Sequence, residues 1–270
     1  MVPSLTVMEY VLINRLLITL FINGACMADV KPDVDDIKRE YAKLSKLAQK
    51  GDVESQYKAF MLVTKNQPHL NESINEAFSY IISAGNSGHT EAQFTIGSLY
   101  QSGYILEKNL DLALGWLLEA ANTEHVDAQV LVANNYSHKY LSSTDDIDKK
   151  KYFDLAKHWY EKSVKNSSIK GKRQYGEFLM FNDNFSIEAE KLLKEASLAG
   201  DLKAMNSLGL MYAYRWDKTN DTGLYKLAKS IFEESISLGY KSSESDLTEL
   251  INKASRRVLG SGLTFDTHML

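Results

Sequence analysis

Five alanines recur along this chain at intervals of 33 to 43 residues, and a similar short pattern follows each of them. They are Ala77, Ala113, Ala156, Ala189 and Ala228. A recurrence at this period is typical of repeat proteins, in which one supersecondary unit is stacked on the next. Because such a unit buries its apolar face only against its neighbours, this feature constrains the fold more than any other in the chain.

The size of the side chain is repeated at fixed distances after each alanine. Three positions later stands a large residue: Tyr80, Trp116, Trp159, Leu192, Ile231. Seven positions later stands a small residue: Ala84, Ala120, Ser163, Ala196, Ser235. Eleven positions later the set is mostly glycine: Gly88, Glu124, Ser167, Gly200, Gly239. Glycine there is typical of a helix C-cap, which needs a positive φ.

A second set of small residues follows each of these turns. Fifteen positions after the alanines stand Ala92, Ala128, Gly171, Ala204 and Ser243, and a fainter earlier copy contains Gly51 and Ser55. Twenty positions after them stand Gly97, Ala133, Gly176 and Gly209, with Thr248 breaking the pattern. Spacings of three, four, five and seven indicate helical faces, and small residues allow two helices to pack closely. Each unit is therefore predicted to be a helix, a turn and an antiparallel helix.

The best-formed copy resembles a Sel1-like repeat. It runs from Ala84 to Gln93, continues through Ile96-Gly97-Ser98-Leu99-Tyr100, and is followed by Ala113-Leu114-Gly115-Trp116. The family pattern is roughly A-x-x-G-x-x-x-A-Q-x-x-L-G-x-x-Y, with A-x-x-W-x-x-x-A-A on the second helix. Residues 196–212 match it nearly as well, whereas the copy over 163–179 is degenerate. The resemblance covers residues 48–251.

The resemblance implies an all-α fold: a right-handed α/α superhelical solenoid of about five helix-turn-helix repeats, related to tetratricopeptide arrays. Its implied role is that of a protein-binding adaptor. With only 3 prolines in 270 residues, the composition suits an all-helical chain. A formal net charge of −4 indicates no general attraction to nucleic acid, so we expect none as a partner.

The first 28 residues resemble a secretory signal peptide. Arg15 precedes a short apolar run from Leu16 to Ile22, and small residues follow up to Ala28. We expect cleavage after Ala28, a mature start at Asp29 and a periplasmic or secreted protein. The run is much shorter than the roughly 20 residues needed to cross a bilayer, so we expect no membrane insertion after cleavage.

Two details of this segment stay open. Either Met1 or Met8 is the initiator, since the residues before Met8 add nothing to a signal. Cys26 follows Gly24 and Ala25, as in lipoprotein signals, but Asn23 stands where such signals usually carry an apolar residue. A lipid anchor at Cys26 is the alternative to a soluble mature protein without cysteine.

The chain divides in sequence into a leader (1–28), a lead-in with a capping helix (29–47), the repeat array (48–251) and a tail (252–270). The first helix is predicted from Val34 to Lys50. A loop rich in Ser, Asp and Lys is expected from Ser137 to Lys151, and a second loop from Phe181 to Phe185.

Motifs that carry chemistry are not found. The six histidines are dispersed, and neither a zinc-binding pattern nor a nucleophile elbow nor a phosphate-binding loop is present. Asp145, Asp146 and Asp148 lack the residues that would complete a calcium loop. His89 and His125 occupy equivalent turn positions and are expected to be structural. We therefore predict no catalytic residue, no cofactor and no metal.

The remaining candidate is a contact surface for a protein partner on the expected concave face. Its residues lie two and ten positions past the second small-residue column: Tyr57, Phe94, Val130, Arg173 and Asn206, and Lys65, His138, Phe181 and Tyr214. Tyr, Phe and Arg are common at the centre of protein interfaces. The alternative is that some of these side chains pack between the repeats.

Two functions are compatible with the sequence. The first is a non-enzymatic scaffold that binds a protein in the groove of the array, with an envelope, host-contact or immunity-type role by family analogy. The second is a cell-wall-acting enzyme or its regulatory subunit. The second requires paired carboxylates in the groove, and the sequence offers no convincing pair.

Overall fold

The computed structural model of the chain describes residues 33–66, 70, 73–103, 105–182 and 186–260. These residues form twelve α-helices. The helices are α1 (Val34–Ala48), α2 (Val53–Lys65), α3 (Ile74–Asn86), α4 (Thr90–Ser102), α5 (Leu110–Asn122), α6 (Val126–Ser142), α7 (Asp146–Lys165), α8 (Ile169–Asn182), α9 (Ile187–Leu198), α10 (Leu202–Thr219), α11 (Thr222–Ser237) and α12 (Ser243–Gly260). The expected leader and cleavage site lie outside the described residues, as does the end of the tail.

The helices belong to two compact units. Unit 1 ends at Thr123 and contains α1 to α5, and unit 2 begins at Glu124 and contains α6 to α12. Within each unit every helix packs against the next one along the chain. We call the even-numbered helices, which carry the second small-residue column, A helices, and the odd-numbered helices B helices.

The repeated small residues are the packing positions. All five anchoring alanines are fully buried, as are the small residues seven positions after them. The small residues at the start of the A helices are also buried, including Ser243, which replaces alanine in the last copy. Small side chains at these positions allow the two helices of a pair to approach, so the predicted helix-turn-helix unit is confirmed.

Large side chains fill the space beside these close approaches. In unit 1, Phe60, Ile81 and Ile96 are almost completely buried in one core cluster. In unit 2, the rings of Tyr160 and Tyr175 stack with their centroids 5.5 Å apart, and further aromatic rings surround them. Burial of this apolar area is the main source of stability of each unit.

The turns from B to A helices have a common backbone. Each of the five residues eleven positions after an anchoring alanine has a positive φ, from 64° at Ser167 to 96° at Gly239. In the turn after α3, the amide of His89 donates to the carbonyl oxygen of Ala84, which closes the helix end. The prediction of a left-handed residue at this position is confirmed, even where the residue is not glycine.

In four of these turns, and in the earlier turn at Gly51, the residue after the positive-φ position caps the following A helix. Asp52 and Asp201 accept backbone hydrogen bonds with their carboxylates, and Ser168 accepts one with its hydroxyl. His89 and His125 do the same with Nδ1, each accepting from a backbone amide at 3.1 Å. The structural role predicted for these two histidines is confirmed.

Three predicted boundaries differ from the structure. The first helix ends at Ala48, two residues before the predicted end at Lys50. Residues 137–151 are not a loop, because α6 continues to Ser142 and α7 begins at Asp146. An Asp145 carboxylate that caps α7 allows the helix to start this early. Helix α12 continues past residue 251, the predicted end of the array, to Gly260.

Candidate functional site

Polar side chains connect the A helices of unit 2 to one another. The Asn134 amide on α6 donates to Gln174 on α8 at 3.1 Å. Ser207 on α10 donates to the Glu177 carboxylate on α8 at 2.8 Å. Together with a further bond from α10 to α12, these contacts align α6, α8, α10 and α12 side by side.

Two of the predicted partner contacts lie inside this arrangement. Val130 has no exposed surface, and Asn206 is 8% exposed. The Asn206 amide donates to Asp246 at 2.9 Å and accepts from the Ser243 hydroxyl at 2.6 Å. A partner cannot reach side chains that are already enclosed by neighbouring helices. We therefore correct the sequence interpretation and leave Val130 and Asn206 out of the contact surface.

Arg173 is also committed to contacts within unit 2. Its guanidinium donates to Asp201 at 3.0 Å and to Glu177 at 3.1 Å, and its side chain is only 14% exposed. Asp201 is the N-cap of α10, so this ion pair joins α8 to the start of the next A helix. Arg173 is thus a structural residue, and it too leaves the predicted contact surface.

The predicted residues of the other column are exposed. His138, Phe181 and Tyr214 occupy equivalent positions on α6, α8 and α10, and all three reach solvent. Phe181 is 71% exposed and Tyr214 is 38% exposed. A cation–π contact places the Lys218 ammonium 5.3 Å from the centre of the Tyr214 ring.

A third apolar side chain extends this exposed line. Leu210 on α10 is 38% exposed and precedes Tyr214 by one helical turn. Phe181 follows Glu177 by one turn, and Leu210 follows Ser207 by about one turn, so each lies about one turn past the Glu177–Ser207 hydrogen bond that joins α8 to α10. We call Phe181, Leu210 and Tyr214 the apolar strip.

Leu210 was missed by the sequence interpretation, although a signal for it exists. It lies six positions past the second small-residue column, midway between the two columns that were considered. Residues at i, i+4 and i+8 share one face of a helix, so all three positions belong to the same face. The sequence interpretation should therefore have considered every position on this helical face, including the one six past the column, rather than two of them.

A shallow pocket of about 190 Å³ adjoins the apolar strip between α10 and α12. Its buried residues are Phe232, Leu250 and Trp216, and its more exposed apolar residues include Leu210 and Tyr214. Asp217, Asp246, Glu249 and Lys253 complete the lining together with Ala213. The site thus combines an apolar interior with a charged edge.

Of the three carboxylates at this edge, one takes part in ion pairs with described residues and two do not. Asp217 forms ion pairs with Lys253 at 2.8 Å and with Arg257, and the hydrogen bond from Lys253 holds the pKa of Asp217 below its usual value. Asp246 and Glu249 form no ion pair with any of the described residues. Two carboxylates that have no cationic partner in the described part of the chain therefore flank the apolar interior.

The predicted contact residues of unit 1 lie on α2 and α4. Tyr57 is half-buried and stacks on the His89 ring with the centroids 4.7 Å apart. Phe94, its equivalent on α4, is half-buried, and Lys65 is exposed in the last turn of α2. These residues remain predicted contacts, and most of the exposed large apolar side chains among the described residues lie in unit 2.

The described residues contain no cluster of three or more His, Cys, Asp or Glu side chains that could hold a metal ion. Among the helices whose residues are described, none has an apolar stretch long enough to cross a membrane.

Comparisons with known proteins place the fold. No protein-family model matches the chain, and no match is found among curated proteins. Solved structures do match. The protective antigen c5321 of uropathogenic Escherichia coli strains, which displays an SLR fold, is 18% identical over 85% of this chain, with a TM-score of 0.61. A Sel1 repeat protein from Oxalobacter formigenes is 17% identical over 81% of this chain, with a TM-score of 0.55.

The chain is therefore an all-α helical-repeat protein. Its fold is the Sel1-like repeat fold, as the residues of the best-formed copy predicted. The likeness extends over 89% of the O. formigenes protein, whereas the chain spans about half of the antigen, 46% of its length. At these identities the comparisons concern the fold, and any function must be argued from the residues of this chain.

Proposed function

We propose that this chain is a non-enzymatic scaffold that binds a protein partner along the apolar strip of unit 2. The observation that carries the proposal is the exposure of Phe181, Leu210 and Tyr214 on one face of adjacent A helices. Isolated exposed apolar side chains are common on protein surfaces, but a contiguous set beside a pocket is typical of an interaction site.

The face that carries the strip is stiffened by contacts within unit 2. Arg173, Glu177 and Ser207 join α8 to α10, and Asn206 and Asp246 join α10 to α12. A surface whose backbone is already ordered loses little conformational entropy when a partner binds. Aromatic side chains on such a surface contribute a large contact area with few rotatable bonds.

A binding role also accounts for the chemistry of this surface better than catalysis does. Glu177 is paired with Arg173 and Asp217 with Lys253 and Arg257. Of the two carboxylates without an ion pair to a described residue, Asp246 accepts a hydrogen bond from Asn206 and Glu249 is exposed to solvent at the edge of a shallow pocket. General acid–base catalysis requires a carboxylate within reach of a substrate proton. The enzymatic alternative has no comparable support from the residues of unit 2.

The proposed location of the protein is periplasmic or extracellular, with a mature chain that starts at Asp29. The support is the order of Arg15, the apolar run and the small residues before Asp29 in the sequence. In that compartment the scaffold would act as an immunity-type inhibitor, or as a factor in envelope assembly or host contact. Amino-terminal sequencing of the protein purified from its native cells tests this location. The proposal fails if residues 1–28 are retained.

Site-specific photo-crosslinking tests the proposed surface. A photoreactive phenylalanine analogue is placed at Phe181 or Tyr214, and the protein is illuminated in the cells that normally produce it. We expect one discrete crosslinked product, the same from both positions, because both side chains face the same partner.

The matched controls are Ile147 on α7 and Leu227 on α11, which are 80% and 41% exposed and do not belong to the strip. A crosslink from these positions measures the contacts that an exposed apolar residue of unit 2 makes outside the strip. Crosslinks of equal yield from the control positions, or none from the strip, contradict the proposal.

A further inference from the structure

The pocket between α10 and α12 has features that specify the chemistry of its occupant. Its volume of about 190 Å³ is below the roughly 300–1,000 Å³ of sites that enclose a drug-sized ligand. Such a volume fits one bulky side chain rather than a cofactor. Phe232, Leu250 and Trp216, all buried, provide the apolar interior that such a side chain would contact.

The charge at the edge of the pocket determines which residues can flank that side chain. Lys253 and Arg257 are both held by Asp217, and the Arg257 guanidinium also lies 4.4 Å from the centre of the Trp216 ring. Neither cation is therefore directed at Asp246 or Glu249. Among the described residues, Asp246 accepts a side-chain hydrogen bond from the neutral amide of Asn206 and from no cation.

Glu249 is the more available of the two carboxylates. It is exposed, and it has no ion pair within the described part of the chain. A cation brought by a partner would thus find a carboxylate that is not already neutralised. A phosphate or an acidic segment would be repelled at the same place.

We propose that this pocket binds a peptide segment in which a bulky apolar side chain is flanked by lysine or arginine. The apolar side chain enters beside Leu210 and Tyr214, and the cation pairs with Glu249, with Asp246 as a second acceptor. This assignment rests on the proposed function, because it specifies which class of protein segment the apolar strip takes.

Selection from a library of random dodecapeptides displayed on phage tests the assignment with a defined probe. The library is selected in parallel on the purified full chain and on two variants, Glu249→Lys and Glu234→Lys. Glu234 is an exposed carboxylate on α11 that does not line the pocket, so its reversal changes the net charge equally. Circular dichroism of each variant verifies that its helices are intact.

On the unaltered chain and on Glu234→Lys, we expect peptides with lysine or arginine within two positions of a bulky apolar residue to be enriched. On Glu249→Lys this enrichment disappears. A synthetic peptide of the enriched sequence should bind Glu249→Lys about fivefold more weakly, because an attraction is replaced by a repulsion at the pocket edge.

Four results would overturn the assignment: no enriched peptide, enrichment without basic residues, enrichment of acidic residues, or basic enrichment that persists on Glu249→Lys. None of these affects the crosslinks from Phe181 and Tyr214. If the strip crosslinks to a partner but the peptide selection is negative, the proposed scaffold function is therefore kept and the basic-segment assignment is rejected.

Discussion

Gly97 on α4 lies so close to Leu117 on α5 that no side chain fits between them. A Cβ atom at Gly97 would lie 2.7 Å from Leu117 Cγ and 3.1 Å from the Ala113 carbonyl oxygen. Leu117 is fully buried and cannot move aside without shifting its own neighbours. The same relation holds between Gly176 and Leu193 in unit 2. The glycine column thus marks where an A helix touches the B helix that follows it.

Gly97→Ala should therefore lower the stability of unit 1. The added methyl group overpacks the contact with Leu117, and we expect a loss of about 1–3 kcal/mol in the free energy of unfolding. Gly115→Ala is the matched control, since Gly115 lies in α5 with nothing within 4 Å of the added atom. That change should stabilise the helix by about 0.5–1 kcal/mol. Urea unfolding followed by circular dichroism measures both, and equal signs would contradict the packing argument.

Ser167 adopts a left-handed backbone, with a φ of 64°, at a position where three of the other four copies of the repeat carry glycine. The left-handed conformation costs a non-glycine residue roughly 1–2 kcal/mol, which glycine avoids at some loss of entropy. We expect Ser167→Gly to raise the stability of unit 2 by about 0.5–1 kcal/mol. The reverse change at the equivalent position, Gly200→Ser, should lower it by a similar amount. Thermal melts of the two variants must move in opposite directions.

The sequence was sufficient to predict the repeat because its packing residues are constrained by size. Only small residues fit at Ala77, Ala84 and their equivalents, and only a residue that tolerates a positive φ fits the turn. These requirements act within one helix pair, so they recur at a fixed spacing. Even Glu124 and Ser167, which are not glycines, were placed in the turn by their spacing alone.

The contact surface was harder to predict, since it depends on partners in other repeats. Arg173 pairs with Asp201, which lies 28 residues later, and Asn206 bonds to Asp246, which lies 40 residues later. Helical spacing identifies a face but does not show how much of it the next A helix covers. Positions two past the small-residue column are covered in unit 2, whereas those ten past it, such as Phe181, remain exposed.

The imidazole ring of His89 contacts two parts of unit 1, the start of α4 and Glu54 on α2. Its Nδ1 accepts from the Ala92 amide at 3.1 Å as the N-cap of α4, and its Nε2 lies 3.1 Å from a Glu54 carboxylate oxygen. His89→Ala removes the cap and should cost about 1 kcal/mol of stability. His89→Asn retains a side-chain acceptor at the cap and should recover most of that loss. If Asn is no better than Ala in thermal melts, the cap is not the source of the effect.

Glu190 gives unit 2 a defined sensitivity to acid. Burial alone would raise the pKa of Glu190, but hydrogen bonds from Lys194, Tyr212 and Arg215 outweigh it and lower the pKa to about 2. A carboxyl whose pKa is lowered by folding contributes stability above its unfolded pKa and loses that contribution as the pH falls. The loss should therefore develop between about pH 5 and pH 2.

Glu190→Gln should flatten that part of the stability curve. Because solvent screens a partly exposed group, we expect Glu190 to contribute about 1–2 kcal/mol at neutral pH. Urea unfolding at a series of pH values compares Glu190→Gln with Glu188→Gln, a change at an exposed carboxylate on the same helix. An unchanged slope in Glu190→Gln, or the same change in both variants, would contradict the assignment.

Variants of Arg173 distinguish a structural role of this residue from a role in partner binding. Arg173→Ala leaves the Glu177 and Asp201 carboxylates without their cation in a partly buried site, and we expect a loss of about 2–4 kcal/mol in the free energy of unfolding. Arg173→Met fills the same space but also removes the charge, so it should be nearly as destabilising. Crosslinking from Tyr214 should persist in either variant at a temperature where its helices are intact. Loss of the crosslink from a folded Arg173 variant would return this residue to the contact surface.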